Sequence, residues 1–169
     1  MSDDEDERVT TYSILGGCSL APALAAGSIM SAPRIFSDMA VMKRRRPVSS
    51  APRWRVYGNG LNLEGYCQNS SCEAYNQSRV IIPLGYRDFR FNIDSYLCKC
   101  PLCGSRVREE TCGFCNAEYK YSGFQAINDD AKEVNSSWQD APDGFYTTFD
   151  DGHNHFVKWF QLKIEVRRR

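Results

Sequence analysis

Seven of the eight cysteines fall within 49 residues: Cys67, Cys72, Cys98, Cys100, Cys103, Cys112 and Cys115. Thiolates at that density point to metal binding rather than to acid–base or nucleophilic work. Cys100-Pro101-Leu102-Cys103-Gly104 has the form of a zinc knuckle. Two intervening residues let both sulfurs reach one ion about 2.3 Å away. Pro101 fixes the first turn position, and Gly104 accepts the positive φ that turns backbone N–H groups toward the sulfurs. Cys67-x4-Cys72, with the loop Gln68-Asn69-Ser70-Ser71, supplies the other half, 27 residues away. These four predict a closed, tetrahedral, structural zinc site. Cys18 stands alone and reads as an ordinary thiol.

Cys98, Cys112 and Cys115 leave three arrangements open. They are buried thiols beside a single ion, or they hold a second Zn2+ with His153 or His155, or all seven interleave as a cross-brace. The run Cys67-x4-Cys72-x25-Cys98-x1-Cys100-x2-Cys103-x8-Cys112-x2-Cys115 resembles the RING family over residues 67–115. That resemblance implies one site of Cys98, Cys100, Cys112 and Cys115, and another begun by Cys67, Cys72 and Cys103. It also implies a ubiquitin ligase, whose cysteines scaffold a surface for a ubiquitin-conjugating enzyme. Arg106 stands where the eighth ligand belongs, and a guanidinium cannot ligate zinc because it keeps its proton.

A second resemblance spans residues 52–166. Its marks are Pro52-Arg53-Trp54-Arg55, Gly60-Leu61-Asn62-Leu63-Glu64-Gly65, Cys72-Glu73-Ala74-Tyr75-Asn76, Cys98-Lys99-Cys100-Pro101-Leu102-Cys103 and Cys112-Gly113-Phe114. It is similar to a poorly characterised cysteine-rich, zinc-ribbon-like domain of simple eukaryotes, sometimes found next to ubiquitin-like modules. The resemblance implies a zinc-binding module without a known reaction.

The elements that must position the thiolates read as short strands. Trp54–Tyr57 and Leu61–Tyr66 flank Gly58-Asn59-Gly60, a hairpin signal. Arg79–Leu84 is a strand in which Pro83 marks an edge or a strand end. Phe89, Phe91 and Ile93 alternate with polar residues, as do Tyr119 and Tyr121 within Ala117–Phe124. The polar stretch from Phe124 to Pro142 reads as a loop with one helical turn at Ala131–Val134. Phe145–Phe149 and Phe156–Val166 form a ribbon across Asp150-Asp151-Gly152, with Phe160, Leu162, Ile164 and Val166 on one face. The expected fold is mostly β, a small zinc-ribbon-like antiparallel β domain over residues 53–166, with no helix longer than two turns. Its metal-binding core is 67–115 and its C-terminal β ribbon 145–166.

Before this domain, residues 1–52 read as a disordered N-terminal arm with an acidic head and a basic block; after it, 167–169 is a basic tail. The chain holds 21 Lys+Arg against 21 Asp+Glu, which excludes a globally basic polynucleotide coat. The neutrality is a cancellation between the head Asp3-Asp4-Glu5-Asp6-Glu7 and the block Lys43-Arg44-Arg45-Arg46. An acidic start argues against a secretory or mitochondrial leader. Residues 9–33 are too rich in Ala, Ser and Gly to read as a membrane span. The expected location is intracellular, cytoplasmic or nuclear, with the basic block a candidate import signal and the cysteines reduced.

A closed thiolate site has no open position for water, so catalysis is not expected there. No phosphate-cradling glycine loop or EF-hand spacing appears. His153-Asn154-His155 sits beside a Gly-Asp turn and reads as exposed loop. The leading expectation is a non-enzymatic, zinc-stabilised module or assembly subunit that binds a protein partner, without membrane contact. The RING-like ligase and a nucleic-acid-binding zinc ribbon are its alternatives. The latter draws on Arg53-Trp54-Arg55 and Arg87-Asp88-Phe89-Arg90-Phe91, where basic and aromatic residues alternate.

Overall fold

The computed structural model describes residues 32–128, 130–149 and 156–169. In chain order come β1 (Arg34–Ser37), β2 (Lys43–Arg45), a 3-10 turn at Arg53–Arg55, β3 (Gly60–Cys67) and β4 (Val80–Gly85). Then follow β5 (Phe89–Arg90), the single helical turn α1 (Phe91–Asp94), a second 3-10 turn at Ser95–Leu97 and β6 (Val107–Cys115). The chain ends with β7 (Ala117–Ile127), β8 (Asp130–Asn135), β9 (Gln139–Ala141), β10 (Tyr146–Thr148) and β11 (Phe156–Arg168). The architecture is mostly antiparallel β. Among the described residues no helix exceeds two turns, and none is long and apolar enough to cross a membrane.

Two sheets form. One runs β2-β10-β6-β3-β4; the other runs β1-β11-β7-β8, with β5 added to β11 and β9 to β7. The chain passes from the first sheet to the second at Asn116, whose φ of 47° turns β6 into β7. Asparagine tolerates this left-handed conformation better than most side chains. Tyr86 Oη donates to the Asn116 carbonyl at 2.8 Å and holds the corner. On either side of it, Phe114 of β6 and Tyr119 of β7 stack with centroids 4.0 Å apart, and Phe149 meets both edge-on. Leu61, Leu63 and Val80 of one sheet and Trp159, Leu162 and Ile164 of the other complete one shared core.

Several expectations are corrected by long-range pairing. The folded unit begins before residue 53, because Arg34–Ser37 pairs with β11 and Lys43–Arg45 with β10. Phe36 and Met39 are each 1% exposed, so residues within the expected arm contribute core. Lys43–Arg45 of the basic block is therefore an edge strand, with all three side chains exposed. The tail is no tail either: β11 runs to Arg168, Arg167 binds Glu118 and Arg169 binds Asp140.

Trp54 lies in a 3-10 turn rather than a strand, and Gly58-Asn59-Gly60 makes no hairpin. The buried Asn62 side chain replaces it, accepting from Gly58 N–H at 2.8 Å and donating to Gly58 O at 2.9 Å. The alternation at Phe89–Ile93 breaks after Arg90, where the Asp94 carboxylate accepts the Arg90 N–H at 2.8 Å and closes a helical turn. Such local side-chain bonds compete with strand pairing. Ala131–Val134 is strand, not helix, because the edge of β7 offers it a continuous ladder. Phe145–Phe149 and Phe156–Val166 do not pair: β10 and β11 belong to different sheets. The connecting Asp150-Asp151-Gly152 lies outside the described residues. A bulge between Trp159 and Gln161 turns Trp159 inward and Phe160 partly outward, while Leu162, Ile164 and Val166 keep the expected face. Pro83 does sit on an edge strand, β4.

Candidate metal centre

Cys67 ends β3, Cys72 follows in a turned loop, and Cys100 and Cys103 lie in the turn leading to β6. Both halves are closed by backbone bonds. Cys72 N–H donates to Asn69 O at 2.9 Å, Gly104 N–H to Cys100 O at 2.9 Å, and Cys100 N–H to Ser105 O at 2.8 Å. Gly104 has φ +71°, the conformation that the knuckle turn requires. Pairing of β3 with β6, with Cys67 opposite Val107, brings the halves together.

The four sulfurs lie within 4.8 Å of one another. Cys67 Sγ is 3.6 Å from Cys103 Sγ, and Cys72 Sγ is 3.8 Å from Cys100 Sγ. Four sulfurs set tetrahedrally at 2.3 Å from one ion would be about 3.8 Å apart. The donor set thus fits a single thiophilic cation. Burial pushes the Cys67 thiol up to about 12, while hydrogen bonds from the Ser105 side chain and backbone draw Cys103 down to about 6. A cation is what lets adjacent thiolates coexist. Cys103 alone of the four is exposed.

The other three thiols are not gathered. Cys112 and Cys115 lie in β6, where residues three apart point to opposite faces, so their knuckle spacing cannot serve one ion. Cys112 is fully buried, and burial raises its thiol well above the ordinary value. Cys98 is buried beside Glu109; burial first, then that carboxylate, raise it as well. Among the described residues there is no second cluster of metal-ligating side chains. The cross-brace is contradicted directly, since it would place Cys100 with Cys98, Cys112 and Cys115. His153, His155 and Cys18 lie outside the described residues.

Most of the aromatic and basic residues of the nucleic-acid reading have partners within the fold, while Arg87 is exposed. Phe89 and Phe91 are core, Trp54 Nε1 donates to Ser78 Oγ, and Arg53, Arg55 and Arg90 pair with Glu73, Glu64 and Asp94.

Two polar clusters carry no sequence signal. In the first, Tyr146 Oη donates to Glu64 Oε1 at 2.7 Å and Arg55 Nη1 donates to Glu64 Oε2 at 2.9 Å. In the second, Arg34 Nη1 donates to Glu109 Oε1 at 2.9 Å. Burial, then the neighbouring Glu64, raise the Tyr146 phenol well above 10.0. The native state therefore holds this proton more tightly than the unfolded chain does. Stability should be intact below pH 10 and fall as pH rises through 10 toward the native value. Tyr146→Phe should flatten that alkaline limb in urea titrations; an unchanged slope would refute the assignment.

No protein-family model, curated protein or solved structure matches this chain.

Proposed function

We propose that the chain is a non-enzymatic protein-binding module folded around one structural zinc ion held by Cys67, Cys72, Cys100 and Cys103. The observation that carries the zinc assignment is the approach of the four sulfurs to within 4.8 Å of one another, with two pairs at 3.6 and 3.8 Å. Zinc in such a site supplies charge neutralisation and cross-linking, with no open position for water. The chain's own residues do the rest. Ser105 and Asn69 order the two turns, and β3 and β6 fix the distance between them. The zinc-ribbon-like description fits two ligand-bearing turns presented by a β framework.

Native mass spectrometry of the purified chain tests the reading. One zinc per chain is expected, retained in Cys112→Ser and in Cys115→Ser. Two zinc ions, or loss of zinc in either variant, would restore a second site.

A further inference from the structure

A cavity of about 650 Å³ is walled by the start of β1 on one side and by Gln68, Arg106, Arg108 and Glu109 on the other. Three guanidiniums, from Arg34, Arg106 and Arg108, line it against one carboxylate, Glu109. Arg34 neutralises that carboxylate at 2.9 Å, and Arg106 spends one N–H on Ser95 Oγ at 3.1 Å. Arg108 is exposed and has no ion-pair partner among the described residues. Glu109 Oε2 is buried and accepts from no N–H or O–H group there. The wall therefore presents surplus positive charge.

The opposite wall has backbone to offer. β1 is the outermost strand of its sheet and pairs only with β11 among the described residues. One row of its N–H and C=O groups is thus without a strand partner there, as in sheets that take up an extended peptide by edge addition. Ile35 on this strand is 47% exposed and gives the lip an apolar contact.

We propose that this cavity is a docking groove for an extended acidic peptide of a partner protein. The peptide backbone adds to the edge of β1 and its carboxylates meet Arg106 and Arg108. The proposal rests on the protein-binding reading above and deepens it by naming the surface and the partner's chemistry. A nucleic acid suits the groove less well. No aromatic ring lines it for base stacking. Alternating acids fit because an extended strand places every second side chain on one face.

The test titrates the full zinc-loaded chain with a fluorescein-labelled peptide of alternating Glu and Val, and separately with labelled single-stranded oligothymidylate of equal charge. Saturable peptide binding that weakens with salt is expected, with slowed amide exchange at Arg34–Ser37. Arg108→Glu should weaken it about tenfold or more, since it reverses a charge without removing any internal bond. Arg106→Ala, the second variant, should weaken it too. Native mass spectrometry of the same samples keeps the two readings apart. A chain with one zinc that binds no peptide overturns the groove alone, and a chain without zinc overturns the module. Peptide binding indifferent to Arg108→Glu, or tighter oligonucleotide binding lost in that variant, also overturns the proposal.

Discussion

Cys100→Ser is expected to abolish zinc binding and unfold the β3–β6 strand pair with the sheet built on it. The effect should be the largest of any single substitution. Structural zinc contributes an apparent ~10–16 kcal/mol coupled to folding, whereas whole domains are stable by only about 5–15 kcal/mol. Cys100 is 3% exposed, and its sulfur lies 3.8 Å from that of Cys72. A serine there leaves three thiols crowded without a cation and releases the loop from Asn69 to Cys72. Strong chelation of the wild-type chain should reproduce the phenotype. Cys112→Ser is the matched comparison: equally buried in β6, it should lower stability while keeping zinc. Far-UV circular dichroism, thermal melts and zinc quantification read all three. A Cys100→Ser chain that kept its zinc and its melting profile would eliminate the metal centre as the organiser of the fold.

The four-cysteine cluster was legible because cysteine spacing is a local property. Cys-x2-Cys with a following glycine specifies a turn, and Cys-x4-Cys needs only a short loop; neither depends on which strands pair. The same spacing at Cys112 and Cys115 misleads, because a strand conformation outvotes it, and nothing local in Cys112-Gly113-Phe114-Cys115 says so. Strand identity was legible where apolar residues alternate, as at β7, or where β-branched residues run together, as at β4. It failed where partners are remote. Arg34–Ser37 is a strand because β11 lies beside it, over 100 residues later in the chain. Asp130–Asn135 is polar, and only the open edge of β7 makes it a strand. A one-residue bulge was enough to exchange Trp159 for Phe160 on the buried face of β11. Sheet partnership is decided by the whole chain, and a window of ten residues does not contain it.

Glu64→Ala should be the most damaging substitution away from the cysteines. Glu64 follows Leu61-Asn62-Leu63, where alternation alone would send it to solvent, yet it is 4% exposed. On β3 it stands opposite Thr111 of β6 and Ile81 of β4, in the interior of the five-stranded sheet. Both carboxylate oxygens are used. Tyr146 of β10 reaches Oε1 by crossing β6 at Gly113, where a Cβ would sit 2.2 Å from the tyrosine ring. Arg55 reaches Oε2 and also donates to Arg79 O at 2.9 Å, tying the 3-10 turn to the sheet. One carboxylate therefore links β10, β3 and the segment that precedes β3. Removing it strands a buried phenol and a largely buried guanidinium, a change that costs about 3–5 kcal/mol when one partner of a buried pair is lost. Tyr146→Phe gives up only one hydrogen bond and should cost about 1–3 kcal/mol. For a chain of this size that ordering corresponds to a fall in Tm of about 10 °C or more for Glu64→Ala, and clearly less for Tyr146→Phe. Zinc should stay bound in both, because the network and the four sulfurs share no residue. Equal melting of Glu64→Ala and the wild-type chain would show that the pair is worth no more than its desolvation. A coupled loss of zinc would instead make the network part of the metal centre's support.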